Sequence, residues 1–349
     1  MISLVSSDLL QIPEARQRAI ERIVPILHGA RTVAITTHVN ADGDACGSAA
    51  AMTRLLSELG VHAFVVNPTP WPALFGFLLG EDVEDRTAAG AGALRDIDAL
   101  LILDVSEMKR LGQLAPAVRA LQRPRIVLDH HVAGEEPAGD VLLTDVTACA
   151  TGELVFDVAI SLGVPISADV ANALYAAILT DTGGFRYSNT TPRAHVIAAE
   201  LMRAGVDPED MFRRIYASLS MGRLHLLRDS LHLLGVDAEH GLAWISVTAD
   251  ALERYDVSPE DLDGIVEHPR SIAGTRLALF FRDLGYGKVK VSFRSTGDVD
   301  VNALARQFGG GGHAKASGAL IPGTLDDVRE KVLEAARQHV GRVSAGISV

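Results

Sequence analysis

The 349 residues are 48% hydrophobic and 22% charged, a balance that supplies sizeable cores, suits two domains and excludes overall disorder. A formal net charge of −12 argues against a protein that coats long nucleic acid, yet leaves a nucleotide substrate open, because divalent cations neutralise a carboxylate-rich metal site. No apolar run approaches the ~20 residues that span a bilayer, the first residues lack a secretory pattern, and Cys46 and Cys149 match no paired-ligand spacing, so a reduced, cytoplasmic setting without a membrane partner is expected.

In chain order, residues 13–27 read as a helix, with Ala19, Ile20, Ile23 and Leu27 at helical spacing and Pro25 expected to kink or shorten its end. VAITT follows as a strand, running through His38, Asp42 and Asp44 into a small-residue helix that closes near Gly60. VHAFVVN is the next strand, and residues 68–98 show no clear period. DALLILDV is a buried strand ending in Asp104, a short helix follows Leu111, and RIVLDHH is another strand, ending in Asp129, His130 and His131. Residues 147–162 and 167–180 read as helices, the second running into Asp181 and the Gly183-Gly184 pair. Helical periodicity then extends over about 194–235, and LAWISVT, TRLALFFRD and KVKVSFRS follow as strands. A short helix, the glycine run at 309–312, a strand GALIP and a closing helix from Leu325 complete the chain.

Apolar strands alternating with helices predict an α/β fold: an N-terminal parallel-sheet domain over 1–205, a long helical connector over 206–236 and a smaller α/β domain over 237–349. In a parallel sheet the carboxyl ends of the strands lie side by side and form the ligand edge. Three separate strands here end in Asp or His. Taken alone, the first stretch also reads as a polar turn with Asp44 capping the next helix. The recurrence at three strand ends favours a joint site of His38, Asp42, Asp44, Asp104, His130, His131 and Asp181. Imidazoles and carboxylates without thiolate suit Mn²⁺ or Mg²⁺ rather than structural zinc, and so many close carboxylates cannot all ionise without cations between them. A carboxylate shared by two ions, most naturally Asp104, would hold them about 3.5–4 Å apart for in-line phosphoryl displacement by a bridging hydroxide.

The second feature is basic. Residues 270–320 carry eight Lys/Arg against three acids. Within them Gly309, Gly310, Gly311 and Gly312 expose successive N–H groups beside His313, Lys315 and Arg294, an arrangement suited to a phosphate clamp.

HVNADGD, LILDVS, LDHH, LTDTGGFRYSNTTPRAH and FGGGGHAKASG, in this order over nearly the whole chain, resemble the DHH/DHHA1 phosphoesterases, and among them the stand-alone branch that includes bacterial nanoRNases. The resemblance implies that the first domain is a DHH domain and the last a DHHA1 domain. It implies two Mn²⁺, with Mg²⁺ as the substitute: one held by His38, Asp42 and Asp104, the other by Asp44, Asp104, His130 and Asp181. His131 would face the scissile phosphate, and Arg294, Gly310, Gly311, Gly312 and His313 would bind the far end of the substrate.

The activity implied is hydrolysis of short RNA oligonucleotides to mononucleotides, removal of the 3′-phosphate of pAp, and cleavage of pApA or cyclic-di-AMP. Substrates of roughly two to five nucleotides offer few phosphates and need no long basic track, so long duplex nucleic acid is not an expected partner. The family often forms homodimers, so a second copy is. A single-strand exonuclease of RecJ type would need added binding modules and more stacking aromatics than the 5% present. A family-II inorganic pyrophosphatase would lack the glycine run, and a non-catalytic nucleotide sensor would be expected to have lost a ligand.

Overall fold

The computed structural model describes residues 6–132, 134–217, 219–262, 264–312 and 314–341. The chain divides into two compact units, Met1–Ser218 and Leu219–Val349, with the division inside the stretch expected as connector. No helix among the described residues is long and apolar enough to cross a membrane.

The first unit begins with α1 (Ser6–Leu9) and α2 (Glu14–Gly29). It continues with β1 (Thr32–Thr36), α3 (Gly43–Glu58), β2 (His62–Val65), β3 (Ala99–Leu103), α4 (Ala115–Ala120), β4 (Arg125–Asp129) and β5 (Val141–Thr144). Four helices close it: α5 (Thr151–Leu162), α6 (Ala168–Asp181), α7 (Pro192–Arg203) and α8 (Pro208–Tyr216). The sheet is parallel throughout, in the order β2-β1-β3-β4-β5. The strands are apolar on both faces because both are covered. Val33, Ile35, Leu101, Leu103 and Leu128 pack under α2, α3, α5 and α6, while Ala34, Leu100, Ile102 and Val127 meet the other layer.

Three local features of this unit differ from the sequence reading or lie beyond it. Helix α2 runs past Pro25 to Gly29, because Ile23 and Leu27 are buried on either side and the lost bond would have reached exposed Glu21. Strand β5 was not legible: it has four residues, Leu143 is the buried one, and pairing with β4 creates it. Residues 68–98 hold two 3₁₀ segments, Ala73–Leu78 and Thr87–Leu94.

A buried ion cluster ties the helices together. Arg16 on α2, 3% exposed, lies 2.6 Å from Asp145, 2.7 Å from Glu153 and 2.9 Å from Asp157, and Arg193 on α7 pairs with the latter two. Charges this deep are tolerated because each has a partner.

The expected continuous helical run over 194–235 is three separate helices. Gly205, at φ +116°, and the capping Asp207 separate α7 from α8, and Ser220 starts α9 (Met221–His232) in the second unit. That unit adds β6 (Gly235–Asp237), β7 (Leu242–Val247), α10 (Ala251–Arg254), α11 (Glu267–Arg270), β8 (Leu277–Asp283) and β9 (Lys288–Ser295). It ends with α12 (Val301–Arg306), β10 (Gly311–Gly312), β11 (Ala316–Pro322) and α13 (Leu325–Val340). Its sheet is mixed, in the order β10-β11-β9-β8-β7-β6, with β7 and β8 parallel. Alternation along β9 buries Val289, Val291 and Phe293 with α12 and α13, and leaves Lys290, Ser292 and Arg294 on the opposite face.

Candidate metal centre

The sheet order makes β1 and β3 neighbours although β2 follows β1 in sequence, so connections leave them toward opposite faces. The crevice at their carboxyl ends is the switch point where open α/β sheets bind ligands. His38 lies just beyond β1, Asp104 just beyond β3, and His130 and His131 just beyond β4. Asp42 is the N-cap of α3, its Oδ1 accepting from the N–H groups of Asp44 and Ala45 at 3.1 Å each. The cap of this helix is therefore Asp42 and not Asp44. Asp44 instead reaches across to α5, where Thr151 N–H donates to its Oδ2 at 2.6 Å and Gly152 N–H to its Oδ1 at 2.9 Å. Helix α5 has no side-chain cap of its own, so a carboxylate from another helix satisfies its first donors. Helices α3 and α6 approach closely at Gly47, where a Cβ would stand 2.3 Å from the Ala173 carbonyl oxygen, and this brings Asp181, the last residue of α6, beside Asp44.

Three groups of ligand atoms result, each with all atoms within 4.8 Å of one another: His38, Asp42 and Asp104; Asp44, His130 and Asp181; and Asp104, His130 and His131. Asp104 is 1% exposed and central. His38 Nε2 lies 3.3 Å from its Oδ2, and His130 Nε2 and His131 Nδ1 lie 3.6 and 3.5 Å from its Oδ1. His130 Nε2 is also 3.7 Å from both Asp44 and Asp181. Asp104 takes a left-handed backbone, φ +61°, an uncommon conformation that Asp tolerates better than most residues and one that places the carboxylate at the strand end.

The imidazoles test whether cations suit this cluster. His38 Nδ1 bonds the Val39 carbonyl at 2.8 Å and His130 Nδ1 the Ala148 carbonyl at 3.3 Å, which assigns the proton to Nδ1 in both. Both Nε2 atoms are buried, find no hydrogen-bond partner among the described residues and face carboxylate oxygens. Lone pairs against anions is an arrangement that a cation completes. The electrostatics agree. Burial pushes the Asp44 carboxyl up to about 7 with the Asp181 charge adding to it, pushes Asp181 up to about 6, and raises Asp104 well above the carboxylate range. Burial likewise holds His38 below its ordinary value, in the neutral form that binds metals.

All seven residues expected on sequence grounds thus meet at one sheet edge. Two others were named there without a role or passed over. Asp129 Oδ1 accepts from both the backbone N–H and Nδ1 of His131, at 3.1 and 2.7 Å; burial raises its pKa, but these bonds bring it below the usual carboxylate range. Asn189 Nδ2 donates to Asp181 Oδ2 at 2.9 Å. The signal for Asp129 was its two-residue spacing from His131, whereas nothing local marks Asn189. Residues 147–150, expected as helix, are not: α5 starts at Thr151, with Ala150 extended before it.

The glycine-run expectations need correction. Gly309 and Gly310 N–H groups donate to the Arg306 and Ala305 carbonyls, so four consecutive free donors do not exist. Gly311 and Gly312 form the edge strand β10 against Gly318 and Ser317. A Cβ on Gly310 would lie 2.2 Å from the Gly318 carbonyl oxygen, so close packing already requires glycine there. Lys315 Nζ donates to the carbonyls of Gly297 and Val299 at 2.5 and 3.0 Å, which ties down a loop. His313 lies outside the described residues. Arg294 on β9, partly buried, lines a polar recess with Arg282, Lys290 and Ser292.

The model of the DHH family, N-terminal domain, matches residues 32–178, and that of the DHHA1 domain matches 245–342. The chain is 34% identical over 335 residues to the bifunctional oligoribonuclease and PAP phosphatase NrnA of Thermus thermophilus, covering 94% of this chain and 95% of that one. It is 30% identical to the Bacillus subtilis protein of the same name, over 83% of this chain and 89% of the other. A crystal structure of an exopolyphosphatase-related protein from Bacteroides fragilis superposes with a TM-score of 0.86 at 28% identity, covering 92% of this chain and 96% of that one.

Proposed function

Because the chain belongs to the DHH family and carries a DHHA1 domain, we propose that it is a metal-dependent phosphoesterase that hydrolyses short oligoribonucleotides to mononucleotides and removes the 3′-phosphate of pAp. It is a phosphoric ester hydrolase by family. The observation that carries the reading is the pair of buried imidazole Nε2 atoms, unpartnered among the described residues and aimed at carboxylates that share Asp104. Two Mn²⁺ are proposed, with Mg²⁺ as substitute: His38, Asp42 and Asp104 would hold one, and Asp44, Asp104, His130 and Asp181 the other. Bound there, divalent cations supply Lewis-acid stabilisation of a phosphoryl group and acidify water.

The chain's own groups do the rest. Asp129 fixes His131 with Nδ1–H engaged, and the ring, one-third exposed, turns Nε2 outward, where with a second proton taken up from solvent, as imidazolium, it would donate to a phosphoryl oxygen or hand that proton to the leaving group. Arg294, with Gly310, Gly311, Gly312 and His313, is proposed to bind the substrate end away from the scissile bond, its fork suiting a phosphate. In this proposal residues 1–205 are catalytic, 206–236 connect, and 237–349 bind substrate, and the protein works in the cytoplasm. pApA and cyclic-di-AMP are further candidate substrates.

A mononucleotide-release assay with Mn²⁺ tests this, offering RNA dimers to pentamers, a 20-mer, pAp, pApA, cyclic-di-AMP and pyrophosphate side by side. Fast cleavage of the short RNAs and pAp is expected, with the 20-mer nearly untouched. Activity on pyrophosphate alone would sink the proposal, and efficient digestion of the 20-mer would favour a RecJ-type exonuclease. Arg294→Ala is expected to raise KM for the pentamer roughly tenfold with little change in kcat, the loss of one charged phosphate contact. Equal falls in kcat and kcat/KM would remove Arg294 from substrate binding.

A further inference from the structure

The seven candidate ligand side chains come from four stretches of chain, and one short segment hydrogen-bonds three of them directly, Asp44, Asp104 and His130, and reaches a fourth, Asp181, through Asn189. The Ala148 carbonyl accepts from His130 Nδ1 at 3.3 Å. The Cys149 carbonyl accepts from Asn189 Nδ2 at 2.8 Å, and the same Nδ2 donates to Asp181 Oδ2. Thr151 and Gly152 N–H groups hold the two oxygens of Asp44, and Thr151 Oγ1 donates to Asp104 Oδ1 at 3.0 Å. The segment is itself anchored: Cys149 N–H donates to Glu153 Oε2 at 2.9 Å, while Glu153 Oε1 pairs with Arg16 and Arg193 in the buried ion cluster.

This inference rests on the metal-site reading of the cluster. We infer that residues 148–152 form the template that sets the geometry of the cation site, with Thr151 as the positioning residue that orients Asp104 and Asp44 together. Thr151 is fully buried, and its hydroxyl binds the carboxylate central to the ligand set. One lone pair of Asp104 Oδ1 is thereby occupied, which fixes the carboxylate rotation and leaves its remaining lone pairs for cations. Its backbone N–H fixes Asp44 at the same time. Thr151 therefore contacts a carboxylate of each ligand group, Asp104 beside His38 and Asp42, and Asp44 beside His130 and Asp181. The hydroxyl is the component that a substitution can remove without disturbing the backbone bonds.

Thr151→Val keeps the shape and the N–H and deletes the hydroxyl; Thr151→Ser restores the hydroxyl. The measurement is Mn²⁺ affinity of the metal-free full-length protein, read from the electron paramagnetic resonance signal of free Mn²⁺ during titration. Thr151→Val is expected to weaken Mn²⁺ binding roughly 10–100-fold, the usual effect of losing an orienting partner, and Thr151→Ser to return within about threefold of wild type. Thermal melting of the same metal-free samples separates positioning from packing. A lowered Tm with unchanged Mn²⁺ affinity in Thr151→Val overturns the inference. Should Thr151→Val not fold, Asn189→Ala, which severs the Cys149–Asp181 link near the rim, must show the same weakening, and unchanged affinity there overturns the inference equally. Wild-type protein that binds no Mn²⁺ defeats the metal reading itself, a different outcome from a wild type that binds and variants that match it.

Discussion

Asp104→Asn is expected to reduce kcat/KM by roughly 10³-fold or more on every substrate, ~4 kcal/mol of transition-state stabilisation, while the metal-free protein stays folded. Among the described residues Asp104 alone contributes oxygens near His38, His130 and His131 together, so removing its charge dismantles both proposed cation sites at once. Asparagine is the informative replacement. At φ +61° an alanine would add about 1–2 kcal/mol of backbone cost that has nothing to do with catalysis, whereas asparagine accepts the left-handed conformation and can still take the bond from Thr151 Oγ1. Burial already pushes the Asp104 carboxyl well above its ordinary range. Replacing it by a neutral amide relieves that burden, so Tm of the metal-free variant should equal or exceed wild type while the Mn²⁺-induced rise in Tm disappears. A variant that keeps more than a tenth of wild-type kcat/KM would remove Asp104 from the centre of the site.

Metal-free protein is expected to lose stability as pH rises from about 4 to 7, the reverse of what salt-bridged carboxylates produce. Asp44 and Asp181 are held up at about 7 and about 6, first by burial, against 3.8 for the unperturbed side chain. Between these values the folded chain keeps protons that the unfolded chain has released. A state that binds more protons is favoured at low pH, so this contribution is full below about 4 and lost as pH passes 6 and then 7. In the presence of chelator, Tm should therefore fall by a few degrees from pH 5 to pH 8, since about 1 kcal/mol moves Tm by 2–4 °C in a domain of this size. Mn²⁺ added at pH 8 replaces the missing positive charge, and at 100 times its Kd should restore ~2.7 kcal/mol, or roughly 5–10 °C. Proton release on Mn²⁺ binding, measured in weak buffer at pH 6.5, should accompany it. A Tm that rises with pH under chelator, or Mn²⁺ without effect, would show that the carboxylates are not a cation site in need of charge.

The two predictions rest on residues of different legibility. Asp104, His38 and the 129–131 run stand at the ends of apolar strands, where a parallel sheet must place them at one edge, so pattern alone located them. Asp44 was identified as a ligand candidate, but its bonds to Thr151 and Gly152 span more than 100 residues and no local period encodes them. The same holds for Arg16, which the sequence presents as one more polar residue on an amphipathic helix and the structure buries among Asp145, Glu153 and Asp157. Strand β5 and the start of α5 at Thr151 escaped because four-residue edge strands and uncapped helix ends take their stability from neighbours.

By itself the sequence determined the alternation of strands and helices, the two α/β units and the identity of the acidic and imidazole groups, because hydrophobic period and residue chemistry are local properties. Only the tertiary structure decided which nitrogen of each imidazole faces the carboxylates, which helix each aspartate caps, and which glycines serve packing. Those depend on hydrogen bonds between segments that meet only after the sheet has formed, and burial then sets the charges on the site.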